Sequence, residues 1–185
     1  MTETTEPTTT PEPVEGDTKD WTWVLERPCP DCGFDPSAMS VASIPDTITD
    51  AARRFALALE QPDAGVRTQP GAWSTVEYGQ HVADMLEVMT DRLGLILESE
   101  GAGASFADWD QDAAAVEKEY WKANTHVTAI LIKERAAAAA SAWAEPEGAQ
   151  WDWPGLRSNG AEFTARTLGQ YMVHDLTHHL HDVGA

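Results

Sequence analysis

Basic residues are scarce in this sequence: 12 Lys and Arg stand against 31 Asp and Glu, a formal net charge of -19 at pH 7. A surface that binds nucleic acid needs Lys and Arg to neutralise phosphates, and an anionic membrane attracts the same side chains. The charge balance therefore argues against a nucleic-acid partner and against an anionic membrane surface.

Long apolar runs are also missing, since no stretch approaches the roughly 18 residues that can cross a bilayer. The first residues, MTETTEPTTTPEPVEGDTKD, lack the basic and apolar regions of a secretory signal. We therefore expect no membrane partner and a cytoplasmic location. Thr, Pro and Glu dominate this segment, which cannot bury enough apolar surface to offset the entropy of ordering it, so residues 1–20 are predicted to be a disordered tail.

Only two cysteines occur, Cys29 and Cys32, within the stretch CPDCG. A Cys-x-x-Cys turn can hold half of a structural zinc site, act as a redox dithiol, or place two reduced thiols in a packed turn. No second such motif exists, so a complete four-ligand site would need histidines or another subunit. We interpret the pair first as reduced thiols in a knuckle-like turn, with a second metal site or a redox role as alternatives. Residues 21–40 are predicted to be an irregular, packed lead-in.

Residues 41–185 show no sustained strand pattern and are predicted to form one all-α domain. Apolar residues recur at helical spacing in four regions: about 43–61, 73–100, 112–143 and 164–183. The third region is expected to bend near Asn124. Four long amphipathic helices favour an up-and-down four-helix bundle with longer crossings, in which sites are built from side chains on facing helices.

Four of the six histidines lie near the end of the chain, within VHDLTHHLHD. His174 and His178 are four residues apart and so share one face of a helix, where they could bind one metal ion. His81, on the apolar face of the second helix, offers a third ligand. Three histidines would leave an open position for water or substrate. The alternative is a helix end that collects histidine because a cation suits its dipole, and we assign His179 and His181 to that alternative.

Three neighbouring side chains are candidates to support these ligands. Asp84 lies one turn from His81 and could orient an imidazole, while Asp175 and Tyr171 flank the face of the histidine pair. HDLTH differs from the HExxH of zinc proteases in having Asp175 in place of the glutamate base, so a protease is not expected. A di-iron bundle is not expected either, because no histidine has a glutamate three residues before it.

Two stretches together, WSTVEYGQHVAD and YMVHDLTHHLHDV, resemble the DinB-like superfamily of metal-binding four-helix bundles, over roughly residues 40–183. Two further fragments, WDQDAAAVEKEYW and RSNGAEFT, are similar to an actinobacterial branch that carries the CPDCG lead-in. The resemblance implies a four-helix bundle and one divalent metal ion, zinc with nickel as the alternative. It implies that His81, His174 and His178 are the ligands.

Relatives in that superfamily include thiol S-transferases that use bacillithiol or mycothiol, and a mycothiol-dependent maleylpyruvate isomerase. The resemblance therefore implies a metal-dependent thiol S-transferase or isomerase, with mycothiol as co-substrate and a small electrophile as the other substrate. Arg157 and Asn159, before the last helix, could reach a ligand at the mouth of the bundle, although RSNG would also serve as a turn.

The alternative to an enzyme is a non-catalytic metal-binding or stress-responsive interaction protein. A cavity connecting the metal site with solvent would favour the enzyme. A homodimer formed through apolar helix faces is compatible with both.

Overall fold

The computed structural model describes residue 14 and residues 19–185. Its five α-helices are α1 (Ile44–Ala58), α2 (Thr75–Glu98), α3 (Gln111–Glu117), α4 (Thr125–Trp143) and α5 (Ala165–Asp182). Its three strands are β1 (Ala104–Phe106), β2 (Pro154–Arg157) and β3 (Glu162–Thr164). Within this described part, no helix is long and apolar enough to span a bilayer. The tail predicted for residues 1–20 lies outside it, apart from Val14, Lys19 and Asp20.

The four long helices form a bundle in which α1 and α2 each pack against both α4 and α5. Helices α1 and α2, although consecutive in the chain, therefore lie diagonally across the bundle. In an up-and-down bundle consecutive helices are neighbours, so that part of the prediction is wrong. The reason is the connection of residues 59–74, which is long enough to cross the end of the bundle instead of turning tightly between adjacent helices.

The predicted starts of the second and fourth helical regions agree with the structure, in which they are α2 and α5. Ser74 precedes α2 and forms a capping box with Glu77, and Thr164 caps α5. The third helical region, predicted as one bent helix, is instead two helices. Asn124 caps α4 by accepting hydrogen bonds from the backbone N–H groups of His126 and Val127, which begins a new helix where a bend was expected.

A three-stranded sheet lies beside the bundle, so the all-α prediction is incomplete. The central strand β2 pairs in parallel with β1 and antiparallel with β3, and Gly155 is opposite both Ala104 and Phe163. Each strand has only three or four residues, too few for a visible alternation of apolar and polar side chains. The sheet packs closely on α2, because a Cβ added at Gly155 would lie 2.8 Å from Cδ1 of Ile96.

Close packing also sets the position of α5, the helix that carries the histidine cluster. Gly169 lies on α5, where a Cβ would approach Cδ1 of Ile44 to 2.6 Å and Cζ3 of Trp143 to 2.8 Å. The absence of a side chain at this position lets α5 approach α1 and α4. The lead-in covers another face of α5, where Gln170 Nε2 donates to the backbone oxygen of Pro36 at 2.9 Å.

A buried glutamate holds the start of α2, one turn before His81. Glu77 accepts hydrogen bonds from the backbone N–H and hydroxyl of Ser74 at 2.8 and 2.7 Å. It also accepts from Nε of Arg67 at 2.9 and 3.1 Å. Burial alone would raise the pKa of Glu77, but the hydrogen bonds from Arg67 and Ser74 outweigh it, and the pKa is lowered from its ordinary value of 4.5.

Replacing Glu77 with Ala should lower the free energy of unfolding by about 2 to 4 kcal/mol, because the helix cap is lost and Arg67 loses its carboxylate. Chemical denaturation at neutral pH measures the change. Glu134→Ala, at an exposed position of α4, is the control and should change stability by less than about 0.5 kcal/mol.

The same pair makes a pH-dependent contribution. Because the folded-state pKa of Glu77 is lowered, its stabilisation is present above pH 4.5 and is lost as the pH falls through the folded-state value. The difference between the wild type and Glu77→Ala should therefore shrink on acidification. A difference that stays constant between neutral pH and the acid transition would contradict this role.

Candidate metal centres

Helix α5 presents two pairs of potential ligands at the same spacing. His174 and His178 form one pair, and Asp175 and His179 form the other. Each pair lies on one helix face, and the two faces differ by about 100° because the pairs are offset by one residue. Each pair joins residues from a different part of the chain, which makes two groups whose ligand atoms all lie within 4.8 Å of one another.

The first group, called here the open triad, consists of His81, Asp175 and His179. Oδ1 of Asp175 lies 3.4 Å from Nε2 of His81 and 2.8 Å from Nε2 of His179. Nitrogen and oxygen ligands bound to one tetrahedral zinc ion at about 2.0 to 2.2 Å are themselves separated by about 3.3 to 3.6 Å. The three side chains therefore fit one divalent ion once Asp175 and His179 move slightly apart.

The charges in the open triad are arranged around the carboxylate. Burial lowers the pKa of His81, which favours the neutral ligand form. For Asp175, burial acts to raise the pKa, but the charge of His179 and the hydrogen bonds from both imidazoles outweigh it and hold the pKa below its usual range. For His179, burial is outweighed by Asp175 and Asp182, which raise the pKa to about 9. A divalent cation at this position would replace the proton of His179 as the partner of Asp175.

One ring nitrogen of the triad is left without a hydrogen bond in the described part of the chain. Nδ1 of His81 is buried and has no hydrogen-bond partner among the described residues. Asp84, expected to orient this ring, instead accepts hydrogen bonds from Nζ of Lys118 at 2.7 Å and from the hydroxyl of Tyr120. Asp84 therefore attaches the segment after α3 to α2 and does not orient the imidazole of His81.

The second group, called here the Cys-His cluster, joins Cys29 and Cys32 of the lead-in to His174 and His178 of α5. Sγ of Cys29 lies 3.7 Å from Nδ1 of His178. Burial lowers the pKa of His174 to about 4 and also lowers that of His178. Partial burial raises the pKa of Cys32 to about 11, and a thiol that stays protonated at neutral pH is a poor redox nucleophile.

The predicted triad of His81, His174 and His178 is divided between these two groups in the described part of the chain. His174 and His178 face the lead-in, whereas the next residue along in each case faces α2. His179, assigned above to an exposed or supporting role, has a side chain only 16% exposed, and its ring centroid lies 4.7 Å from that of His81. Asp175 moves from a flanking residue to a ligand candidate. The sequence signal for this second pair is the four-residue spacing of Asp175 and His179.

A cavity of about 290 Å³ opens onto both groups, with Asp175 and His179 on one side and His174 and His178 on the other. Aromatic side chains line it: Trp21, Trp73, Tyr78 and Tyr171. An adjacent cavity of about 900 Å³ shares Trp21 and Tyr171 with it. The open triad is thus connected with space that a small molecule can enter, as expected of a catalytic metal site and not of a closed one.

Arg157 and Asn159 line the larger cavity, and hydrogen bonds among their side chains and Asp108 hold its wall together. Nε of Arg157 donates to Oδ1 of Asn159 at 3.0 Å, and Nδ2 of Asn159 donates to Oδ2 of Asp108 at 3.1 Å. Arg157 also lies over the ring of Tyr171, 5.8 Å from its centroid. Both interpretations of RSNG therefore fit: the residues form the turn between β2 and β3, and they border a cavity beside the triad.

The fold is similar to that of the Bacillus subtilis protein YfiT, described as a probable metal-dependent hydrolase with an unusual four-helix bundle topology. The TM-score is 0.67 at 18% sequence identity, over 78% of this chain and 86% of YfiT. At this identity the likeness shows the fold alone, and it agrees with the four-helix bundle expected from the sequence. No family model matches the chain, and no curated protein matches it in sequence.

Replacing His179 with Ala should weaken zinc binding at the open triad by at least about 100-fold, because the loss of a supporting hydrogen bond alone costs 10- to 100-fold in other sites. Competition with a chromophoric chelator measures the affinity. His181→Ala is the matched control, since His181 lies on the same helix but is exposed. If His179→Ala binds zinc as the wild type does, His179 is not a ligand.

Proposed function

We propose that this protein is a metal-dependent enzyme whose open triad holds one divalent ion and activates a small nucleophile. The observation that carries the proposal is the placement of a carboxylate between two imidazoles beside a cavity: Asp175 lies within 3.4 Å of both His81 and His179. Two imidazoles and one carboxylate leave coordination positions free, which separates a catalytic site from a structural one.

Zinc fits this donor set first, with nickel as the alternative, because imidazole binds both and a carboxylate completes the set. When bound, such an ion would supply Lewis-acid chemistry, lowering the pKa of a thiol or water so that a nucleophile is present at neutral pH. The protein's own side chains would hold the ion and surround the nucleophile bound to it. His81 is fully buried and fixes the floor of the site, while Trp21, Trp73 and Tyr78 limit the access of water from the cavity.

The nucleophile that we propose is a low-molecular-weight thiol, with mycothiol as the first candidate and a small electrophile as the second substrate. The larger cavity supports this choice by its chemistry. Asp108 and Asn159 offer acceptors for hydroxyl groups, and Trp21 and Trp109 offer flat apolar faces. Such a lining suits a sugar-bearing molecule such as mycothiol, whose thiol would extend toward the triad through the cavity of about 290 Å³.

A second candidate function is hydrolysis, in which water takes the place of the thiol. The description of YfiT as a probable metal-dependent hydrolase favours it. The same three side chains would hold the ion, so the two functions differ in the nucleophile and not in the site. We further propose that the protein acts in the cytoplasm on small molecules, with no nucleic-acid or membrane partner, and that any homodimer forms through apolar helix faces.

Activity measurements on the zinc-loaded protein test these functions. One assay follows conjugation of mycothiol to a fluorogenic bimane electrophile, and the other follows hydrolysis of activated esters and amides without thiol. Asp175→Asn should reduce the active reaction by about 100-fold or more, because the carboxylate that binds the ion is lost. Asp91→Asn, an exposed change on α2, should leave the rate unchanged.

The outcomes separate three readings of the site. Metal-dependent conjugation that fails in Asp175→Asn supports the thiol transferase. Hydrolysis without thiol that fails in the same variant supports the hydrolase. A protein that binds zinc at the open triad with full occupancy but shows neither reaction nor mycothiol binding is the non-catalytic metal-binding protein, and the proposal of an enzyme is then wrong.

A further inference from the structure

We propose that the Cys-His cluster is a second metal site, a closed zinc site that fastens the lead-in to α5. It is separate from the open triad in its ligands and in its role. The four donors, Cys29, Cys32, His174 and His178, come from two segments far apart in the chain, and their ligand atoms lie within 4.8 Å of one another. The site would stand whether or not the proposed enzymatic function is correct.

The backbone of the lead-in forms a turn that presents both sulfurs to the same side. The backbone N–H of Gly33 donates to the oxygen of Cys29 at 3.0 Å, and the N–H of Cys29 donates to the oxygen of Phe34 at 2.8 Å. Gly33 has φ of +75°, which only glycine adopts readily. Cys29 and Cys32 are three residues apart in the sequence, and this tight turn brings their sulfurs to the same side. Half of a structural zinc site has this arrangement.

The distances and donor types fit tetrahedral zinc. Zinc binds sulfur at about 2.3 Å and imidazole nitrogen at about 2.0 Å, which places a sulfur and a nitrogen about 3.5 Å apart. Sγ of Cys29 and Nδ1 of His178 are 3.7 Å apart. His174 provides a second, independent indication, because its Nε2 is buried and has no hydrogen-bond partner within the described residues.

Two thiolates and two neutral imidazoles leave no open coordination position, so the site is structural. On binding, each cysteine releases one proton to solvent, and the two thiolate charges balance the charge of the ion. The neutral assembly can therefore be enclosed. The ring of Trp21 lies 5.5 and 5.0 Å from the rings of His174 and His178, and that of Phe34 lies 5.5 Å from His174, so aromatic side chains pack against both imidazoles.

The position of this site links it to the open triad. His174 and His178 immediately precede Asp175 and His179 on α5, so an ion that holds the first pair also fixes the rotation of the helix that presents the second. Trp21 belongs to the fastened lead-in and lines both cavities. The cluster is thus a positioning site, which holds one wall of the cavity in place.

Zinc analysis of the full chain tests the proposal, with wild type compared to the double variant Cys29→Ser/Cys32→Ser, to His178→Ala and to the control His181→Ala. Wild type and control should hold two zinc ions per chain, and both cluster variants should lose one. Asp175→Asn should lose the other. Cobalt substitution identifies the ligands, since thiolate-to-cobalt charge transfer should appear in wild type and in Asp175→Asn and be absent from the double cysteine variant.

A measurement on the wild-type protein tests the site without relying on the folding of any variant. An organomercurial reagent, which binds thiolates, should release one zinc per chain and lower the thermal midpoint by roughly 10 °C, because a ligand that binds only the folded state is removed. Retention of both ions by the double cysteine variant would overturn the proposal. A cobalt-loaded wild type without thiolate charge transfer would overturn it as well.

Discussion

The rotation of α5 about its own axis is the constraint on which both candidate metal sites depend. Successive residues of a helix differ by about 100° in direction, so His174 and His178 face the lead-in while Asp175 and His179 face α2. Gly169 allows α5 to pack closely on Ile44 and Trp143, and that contact sets the rotation. A small rotation would move both pairs away from their partners, so the packing of the bundle determines the chemistry of the sites.

The two groups of candidate ligands on α5 differ in their charges. The carboxylate of Asp175 lies between two imidazoles and is stabilised by a positive partner. The largely buried His179 supplies that charge, because Asp175 and Asp182 raise its pKa to about 9. The pKa of His174 is instead lowered to about 4 by burial, which suits a ligand that binds in its neutral form. The two faces of α5 therefore differ in the charge that they offer a cation. One face carries the carboxylate of Asp175, and the other carries neutral imidazoles beside the thiols of the lead-in.

Local signals in the sequence made the long helices predictable. The arrangement of these helices in the bundle could not be predicted in the same way. Ser74 and Thr164 mark helix starts through hydrogen bonds to nearby backbone groups, and these depend only on neighbouring residues. The diagonal relation of α1 and α2, and the short strands around Gly155, depend on contacts between distant segments. Strands of three or four residues carry too little pattern to be detected, because their pairing and not their propensity stabilises them.

The candidate sites show the same division between local and tertiary information. The sequence by itself determined that the last helix carries potential ligands four residues apart, that His81 lies on an apolar helix face, and that a complete four-ligand site would need two ligands beyond the Cys-x-x-Cys turn. Two overlapping pairs on α5 satisfied the same spacing, and spacing cannot choose between them. Only the tertiary structure decided that Asp175 and His179 meet His81 while His174 and His178 meet the cysteines, because that choice depends on which neighbour packs against each face of the helix.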